Sequence, residues 1–281
     1  MRLNDLVIPL KDWLNPASIK KTFDTADSLD IVYWPFNKGQ IDLSNDDIWI
    51  KQFVRTQDPP SIKLPFLDPI REAFLNLSIP SFELLLKAPH LTPFTKKFEW
   101  DVARTSFATN QVLVATDALH FFPGYEVVVA EDSAFAIKAD SNFTNIATEF
   151  SFIINKIAEY ARNGKFPINI TVSLRFLRAS AALLAPTFDS DPNAIYGFFE
   201  LNTYKNTPDW ANFQNEIAQR LISKYGARPH WAKEWESVSG IKQFLHKSLG
   251  DHITTFEKVR VKYDPNNTFF DNDSLKQVFY G

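Results

Sequence analysis

Along residues 165–176, KFPINITVSLRF, the apolar Ile168, Ile170, Val172, Leu174 and Phe176 alternate with Asn169, Thr171, Ser173 and Arg175. A period of two predicts a β-strand with one apolar and one polar face, and it puts Ser173 and Arg175 on the same polar side. Segments 29–36 (LDIVYWPF) and 47–54 (DIWIKQFV) are rich in β-branched and aromatic residues and read as two strands, with a turn at Asn37-Lys38-Gly39. AIYGFFELNTY (194–204) reads as another strand. GYEVVVA and AFAIKA flank Glu131-Asp132-Ser133, which predicts a hairpin with a short polar loop. Between Asn142 and Asn163 the spacing of Phe143, Ile146, Phe150, Ile153, Ile154, Ile157 and Tyr160 is helical, closed by Asn163-Gly164.

The remaining segments carry weaker patterns. Residues 1–24 read as a short helix or loop, with Asn15-Pro16 as a turn or cap. The stretch 58–95 is rich in proline and reads as loop, with helical turns near 68–77 and 82–88. Residues 96–120 give no clear period. A helix is expected over about 209–225, ended by Gly226, then two helices over about 236–262, a turn at DPNN and a last short helix over about 273–279. Strands without regular alternation with helices predict an α+β fold: a large antiparallel sheet with helices packed on one side.

Composition narrows the function classes. The chain has 281 residues, 15% aromatic, with net charge −3 and no strongly basic stretch, which argues against nucleic-acid binding through phosphates. There is no cysteine, so disulfides and thiolate metal sites are excluded. His90, His120, His230, His246 and His252 lack metal-ligand spacing, and no metal site is expected. No run of about 20 apolar residues predicts a transmembrane segment, and the N-terminus shows no signal-peptide h-region; the compartment stays open. With eight glycines and neither G-x-G-x-x-G nor G-x-x-x-x-G-K-[ST], the chain has no phosphate-cradling loop.

Two features carry candidate chemistry. On the polar strand face, Ser173 and Arg175 would be joined by Asn202 if the 194–204 strand pairs beside them, and an arginine with an amide can grip an oxygen of a ligand. The bland alternative is a solvated sheet face. Arg228-Pro229-His230-Trp231-Ala232-Lys233 packs two cations, an imidazole and an indole directly after a helix-ending glycine; the alternative there is a tight turn with a buried tryptophan.

RPHWAK resembles the R-P-H-W-G/A-K segment of flavin-dependent sugar-lactone and alditol oxidases, within the vanillyl-alcohol-oxidase-like flavoproteins. EYARNGKFPINITVSLRF, FFELNTYKNTP, VYWPFNKG with DDIWIKQF, and VRVKYDPNNTFFDNDSL are similar, in order, to stretches of the substrate (cap) and C-terminal part of type II cholesterol oxidases. The resemblance runs from about residue 29 to the end. It implies an antiparallel cap sheet lying over a flavin, with FAD bound by an N-terminal domain that this sequence lacks. Residues 1–235 would be the substrate-binding domain and 236–281 a helical tail returning to the flavin domain.

Carried over by position, the resemblance assigns catalytic roles to Arg175, Asn202 and Lys233, and contact with the cofactor to His230 and Lys233. Ser173 stands where the family has a glutamate, and a serine hydroxyl cannot act unaided as that base. The implied function is the substrate-binding portion of an FAD-dependent alcohol oxidase of sterol-oxidase type, inactive as this chain alone. The expected partners are an FAD-binding domain or subunit and a sterol or other alcohol. The alternatives are a sterol- or lipid-binding module without catalysis, or a degenerate fragment.

Overall fold

The computed structural model describes residues 1–60, 84–105, 110–119, 130–270, 276, 278 and 279. In chain order the elements are β1 (Arg2–Pro9), α1 (Leu10–Trp13), α2 (Pro16–Asp24), β2 (Ser28–Tyr33), β3 (Asp47–Val54), α3 (Thr92–Arg104), β4 (Gln111–Val112), α4 (Ala115–Leu119), β5 (Ala130–Lys138), α5 (Thr144–Arg162), β6 (Thr171–Arg178), β7 (Ile195–Tyr204), α6 (Trp210–Tyr225), β8 (Arg228–Pro229), α7 (Ile241–Leu249) and α8 (Asp251–Tyr263). The strands form one eight-stranded antiparallel sheet in the order β4-β1-β3-β2-β6-β7-β5-β8. The expected α+β class with a large antiparallel sheet is the fold observed.

The chain divides into two compact units. The first comprises Met1–Asp132, Asp140–Phe176 and Phe199–Trp210; the second comprises Ser133–Ala139, Leu177–Phe198 and Ala211–Gly281.

In the first unit the helical stripe of α5 buries Ile146, Phe150, Ile153, Ile154 and Ile157. Phe150 meets Trp13 edge-on at 5.2 Å and also touches Tyr33 and Phe199, which fixes α5 against the sheet face that carries Tyr33, Val172, Leu174 and Phe199. An aromatic buried this completely contributes about 3–5 kcal/mol when judged by truncation to alanine. The start of α5 is held by the Asp140 carboxylate, which accepts from the backbone N–H groups of Asn142, Thr144 and Asn145, an anion at the positive end of the helix. On the opposite sheet face, Trp100 of α3 packs against Trp34 and Trp49, with Val7 and Val32 beside them.

Several sequence expectations are corrected. The N-terminal segment is not helix or loop throughout: Arg2–Pro9 is a strand paired along its whole length with β3. Its alternation is masked because Asp5 lies on an inward-facing position, where it pairs with Lys51. Asn15 does cap α2, accepting from the Ala17 N–H. The hairpin at Glu131–Ser133 is replaced by continuous strand from Ala130 to Lys138, with Ser133 buried and its hydroxyl donating to the Glu234 carbonyl. The strand expected from 168 begins at Thr171 instead. Asn169 is 3% exposed, and its amide side chain replaces ladder bonds: Oδ1 accepts from Thr203 Oγ1 and Tyr204 N, and Nδ2 donates to Thr207 Oγ1. The patternless 96–120 stretch holds most of α3, then β4 and α4. The helical turn expected near 68–77 lies outside the described residues, and of the final helix only Lys276, Val278 and Phe279 are described, as helical.

Candidate functional site

The polar face of β6 and its neighbours follows from register. Asp5 and Lys51 are direct cross-strand partners, as are Asp30 and Lys51, while Val32 lies opposite Ser173. Side chains at alternate positions share a face, so Asp5, Lys51, Asp30, Ser173 and Arg175 all stand on one side. The guanidinium of Arg175 lies 3.5 Å from Asp30 Oδ1 and 3.6 Å from Glu200 Oε2. Asn202, two residues beyond Glu200 on β7, donates from Nδ2 to Thr171 Oγ1 at 3.3 Å. The expected sharing of one sheet face by Ser173, Arg175 and Asn202 is therefore what the geometry gives.

Across β1, β3, β2, β6 and β7 the charges alternate: Asp5, Lys51, Asp30, Arg175, Glu200. Burial changes along this row. The Lys51 and Asp5 side chains are 3% and 1% exposed, 3.6 Å apart, and Asp5 also accepts from Trp49 Nε1 at 2.8 Å. Next to Tyr204 of β7, Lys96 of α3 is buried and paired with Glu99, and its ammonium lies 5.5 Å from the Tyr204 ring centre. By contrast the Arg175 side chain is 58% exposed. Ion pairs as exposed and loose as those of Arg175 contribute about 0–1 kcal/mol, so they orient the guanidinium more than they stabilise the fold. A cation aimed by two carboxylates and open to solvent can bind a hydroxyl or carbonyl oxygen.

Glu200 and Asp30 were absent from the sequence-derived site. Asp30 sat inside a strand without a pattern that singled it out. Glu200 had a signal: a lone acid in the otherwise apolar Ile195–Leu201 run, two positions from Asn202. It is 7% exposed.

The 227–235 segment belongs to the second unit. Gly226, at φ +62°, closes α6 in the left-handed conformation that glycine adopts without strain, and the Ala227 N–H reaches back to the Leu221 carbonyl. Arg228 donates to the Phe188 carbonyl, Trp231 Nε1 to the Leu184 carbonyl at 2.6 Å, and the Glu234 carbonyl accepts from Ser133 and Gln214. Much of this motif therefore ties the 227–235 loop to the 184–188 segment and to Ser133 and Gln214. His230 donates its backbone N–H to Ala134, its ring stands edge-on to Phe198, and its Nδ1 accepts from the Ala232 N–H at 3.3 Å. Nε2 is then the donor of the neutral ring. The Lys233 N–H closes the turn on the His230 carbonyl.

Near Phe36, the Asp46 carboxylate is buried and accepts from Tyr33 Oη and from the backbone N–H groups of Phe36 and Lys38. Burial outweighs these hydrogen bonds and pushes its pKa up to about 7, and the same burial raises that of Tyr33. These contacts hold Phe36 at φ +67°, a structural knot at the end of β2.

As for a cofactor, among the described residues no glycine-rich loop suits the diphosphate of a flavin nucleotide. Among the described residues no group of three or more His, Asp or Glu could hold a metal ion, and no helix is long and apolar enough to cross a membrane.

Comparison with known proteins identifies the family and the fold. The family model for D-arabinono-1,4-lactone oxidase matches residues 73–278, and the chain belongs to that family of FAD-linked oxidases. A solved structure of a solvent-stable cholesterol oxidase is similar over 99% of this chain and 59% of its own, at 15% identity and a TM-score of 0.74. Cholesterol oxidase from B. sterolicum is similar over the same shares, at 14% identity and a TM-score of 0.66. The chain thus spans 59% of the length of these solved chains. No curated protein matches the sequence significantly.

Proposed function

We propose that this member of the FAD-linked oxidases is the substrate-binding part of an alcohol oxidase, working with a flavin-binding body in the same or a partner chain. The observation that carries the reading is the Arg175–Glu200–Asn202 face, where a half-exposed cation lies between the carboxylates of Asp30 and Glu200. Arg175 and Asn202 bind and orient the oxygen of the substrate carbinol, and Lys233 serves the same chemistry from its own loop. His230 and Lys233 are the residues that would meet the flavin. Residues 1–235 make up the substrate-binding part and 236–281 the tail. FAD, when bound, supplies the acceptor for the carbinol hydride and is reoxidised by dioxygen.

The first substrate reading is a sterol, supported by the likeness to cholesterol oxidases and by the 15% aromatic content. A second, a sugar lactone, is favoured by the row of hydrogen-bonding side chains, which suits a substrate with several hydroxyls, and by the family. The test is to combine the chain with a flavin-binding domain of this family and measure hydrogen peroxide release with cholesterol and with D-arabinono-1,4-lactone. Peroxide with cholesterol supports the first reading, and peroxide with the lactone the second. No peroxide with either, from a complex that has bound FAD, overturns the oxidase reading.

A further inference from the structure

We propose that Glu200 receives the substrate hydroxyl and its proton, so that the acid of the site is supplied by β7 rather than by β6. The inference rests on the oxidase reading above. The strand β6 carries Ser173 where the resembled pattern has its carboxylate, while an acid, Glu200, stands on the neighbouring strand β7. Glu200 reaches the same arginine from the neighbouring strand, at 3.6 Å from the Arg175 guanidinium. It lies on the face of Asn202, two residues away along β7. At 7% exposure it is shielded enough that its acceptor strength is little diluted by water.

The alternation of β7 requires this direction. Phe199 points to α5 and packs on Phe150, so Glu200 points to the Arg175 side. Asp30 also pairs with Arg175, but its side chain is 33% exposed against 9% for Glu200, and it lies on β2, the strand on the far side of β6 from Asn202. A substrate oxygen gripped by Arg175 and Asn202 therefore has Glu200 beside it. In the reaction the carbinol C–H leaves as a hydride to the flavin acceptor, the O–H proton passes to the Glu200 carboxylate, and the O–H bonding pair becomes the second bond of the product carbonyl. The proton returns to solvent when the product leaves, and dioxygen takes up the two electrons.

Two readouts test this. The first needs no flavin: the side-chain carboxyl ¹³C resonance of Glu200, assigned by its loss in Glu200→Gln, is followed while cholesterol or D-arabinono-1,4-lactone is added to the chain. The second is anaerobic flavin bleaching in the complex with a flavin-binding domain, for the unaltered chain, Glu200→Gln, and Ser173→Glu combined with Glu200→Gln. The expected result is a resonance that moves with one of the two alcohols, and bleaching slowed by about 10²–10⁴-fold in Glu200→Gln with alcohol affinity changed less than about threefold. The double variant, which returns an acid to β6 within reach of the same arginine, should recover at least about tenfold of that loss.

Bleaching by Glu200→Gln within about threefold of the unaltered chain overturns the proposal and leaves the oxidase reading standing. Slow bleaching without any movement of the resonance, or without recovery in the double variant, shows that Glu200 acts only on the fold and overturns it too. Absence of bleaching by the unaltered, FAD-loaded complex with both alcohols overturns the oxidase reading, and the proton-transfer role with it.

Discussion

Lys51→Met isolates the acid at the buried end of the charge row. The Lys51 ammonium lies 3.6 Å from Asp5, and both side chains are at most 3% exposed. Methionine keeps the length and apolar stem of lysine but leaves Asp5 buried without its countercharge, although the Trp49 indole N–H still donates to it. Removing one partner of such a pair costs about 3–5 kcal/mol, because an uncompensated buried charge remains. Asp5→Asn keeps an acceptor for Trp49 and removes the Asp5 charge that faces the buried ammonium, with a similar cost. The double variant removes both charges, and replacing a buried pair by neutral groups of similar shape is often close to neutral. The expected pattern in urea unfolding, followed by tryptophan fluorescence, is two single variants each destabilised by about 3–5 kcal/mol and a double variant within about 2 kcal/mol of the unaltered chain. A Lys51→Met loss below about 1 kcal/mol, or single effects that simply add, would refute the argument that the pair is dry and coupled.

Asp46, whose pKa is pushed from 3.8 up to about 7, gives a pH signature worth about 4 kcal/mol at its upper end. The folded state holds the proton more tightly, so this contribution is fully present below about pH 4 and is lost as pH rises through 7. The stability difference between the unaltered chain and Asp46→Asn should therefore shrink over that window, and a difference that grows with pH would contradict the assignment. Asn169→Ala, which takes a partner from Thr203 Oγ1, Tyr204 N–H and Thr207 Oγ1 at a buried point, should cost about 2–4 kcal/mol in the same unfolding assay. The chain purified on its own should carry no stoichiometric flavin, since no phosphate-cradling loop is present in the sequence; a flavin absorbance spectrum at near full occupancy would refute this.

Strands and helices with an unbroken period were legible in the sequence. The period of 3.6 in α5 and the alternation in β6 both reflect one apolar face against one core; α5 is where its pattern puts it, and β6 keeps the predicted faces but starts at Thr171. β1 escaped because Asp5, a charge, occupies an inward position, and hydropathy alone cannot show that Lys51 will meet it from 46 residues away in sequence. β5 was split at Glu131–Ser133 because polar residues in a strand look like a turn until their partners are known; Ser133 finds its partner in Glu234, far along the chain. The site was half legible. Arg175 and Asn202 came from alternation and resemblance, whereas Asp30 and Glu200 enter it through strand neighbours that no local pattern specifies. Trp231 and Arg228, which drew attention as chemistry, prove to hold the backbone carbonyls of Leu184 and Phe188, in a separate segment of the chain.

The central claim is that the Arg175 face of the sheet takes the reacting hydroxyl. A crystal structure of the chain in complex with a flavin-binding domain and a bound alcohol tests it most directly. The account predicts the alcohol oxygen within hydrogen-bonding distance of Arg175, with Glu200 or Asn202 as a second partner. An alcohol seated elsewhere, with Arg175 touching only Asp30, Glu200 and water, would contradict it.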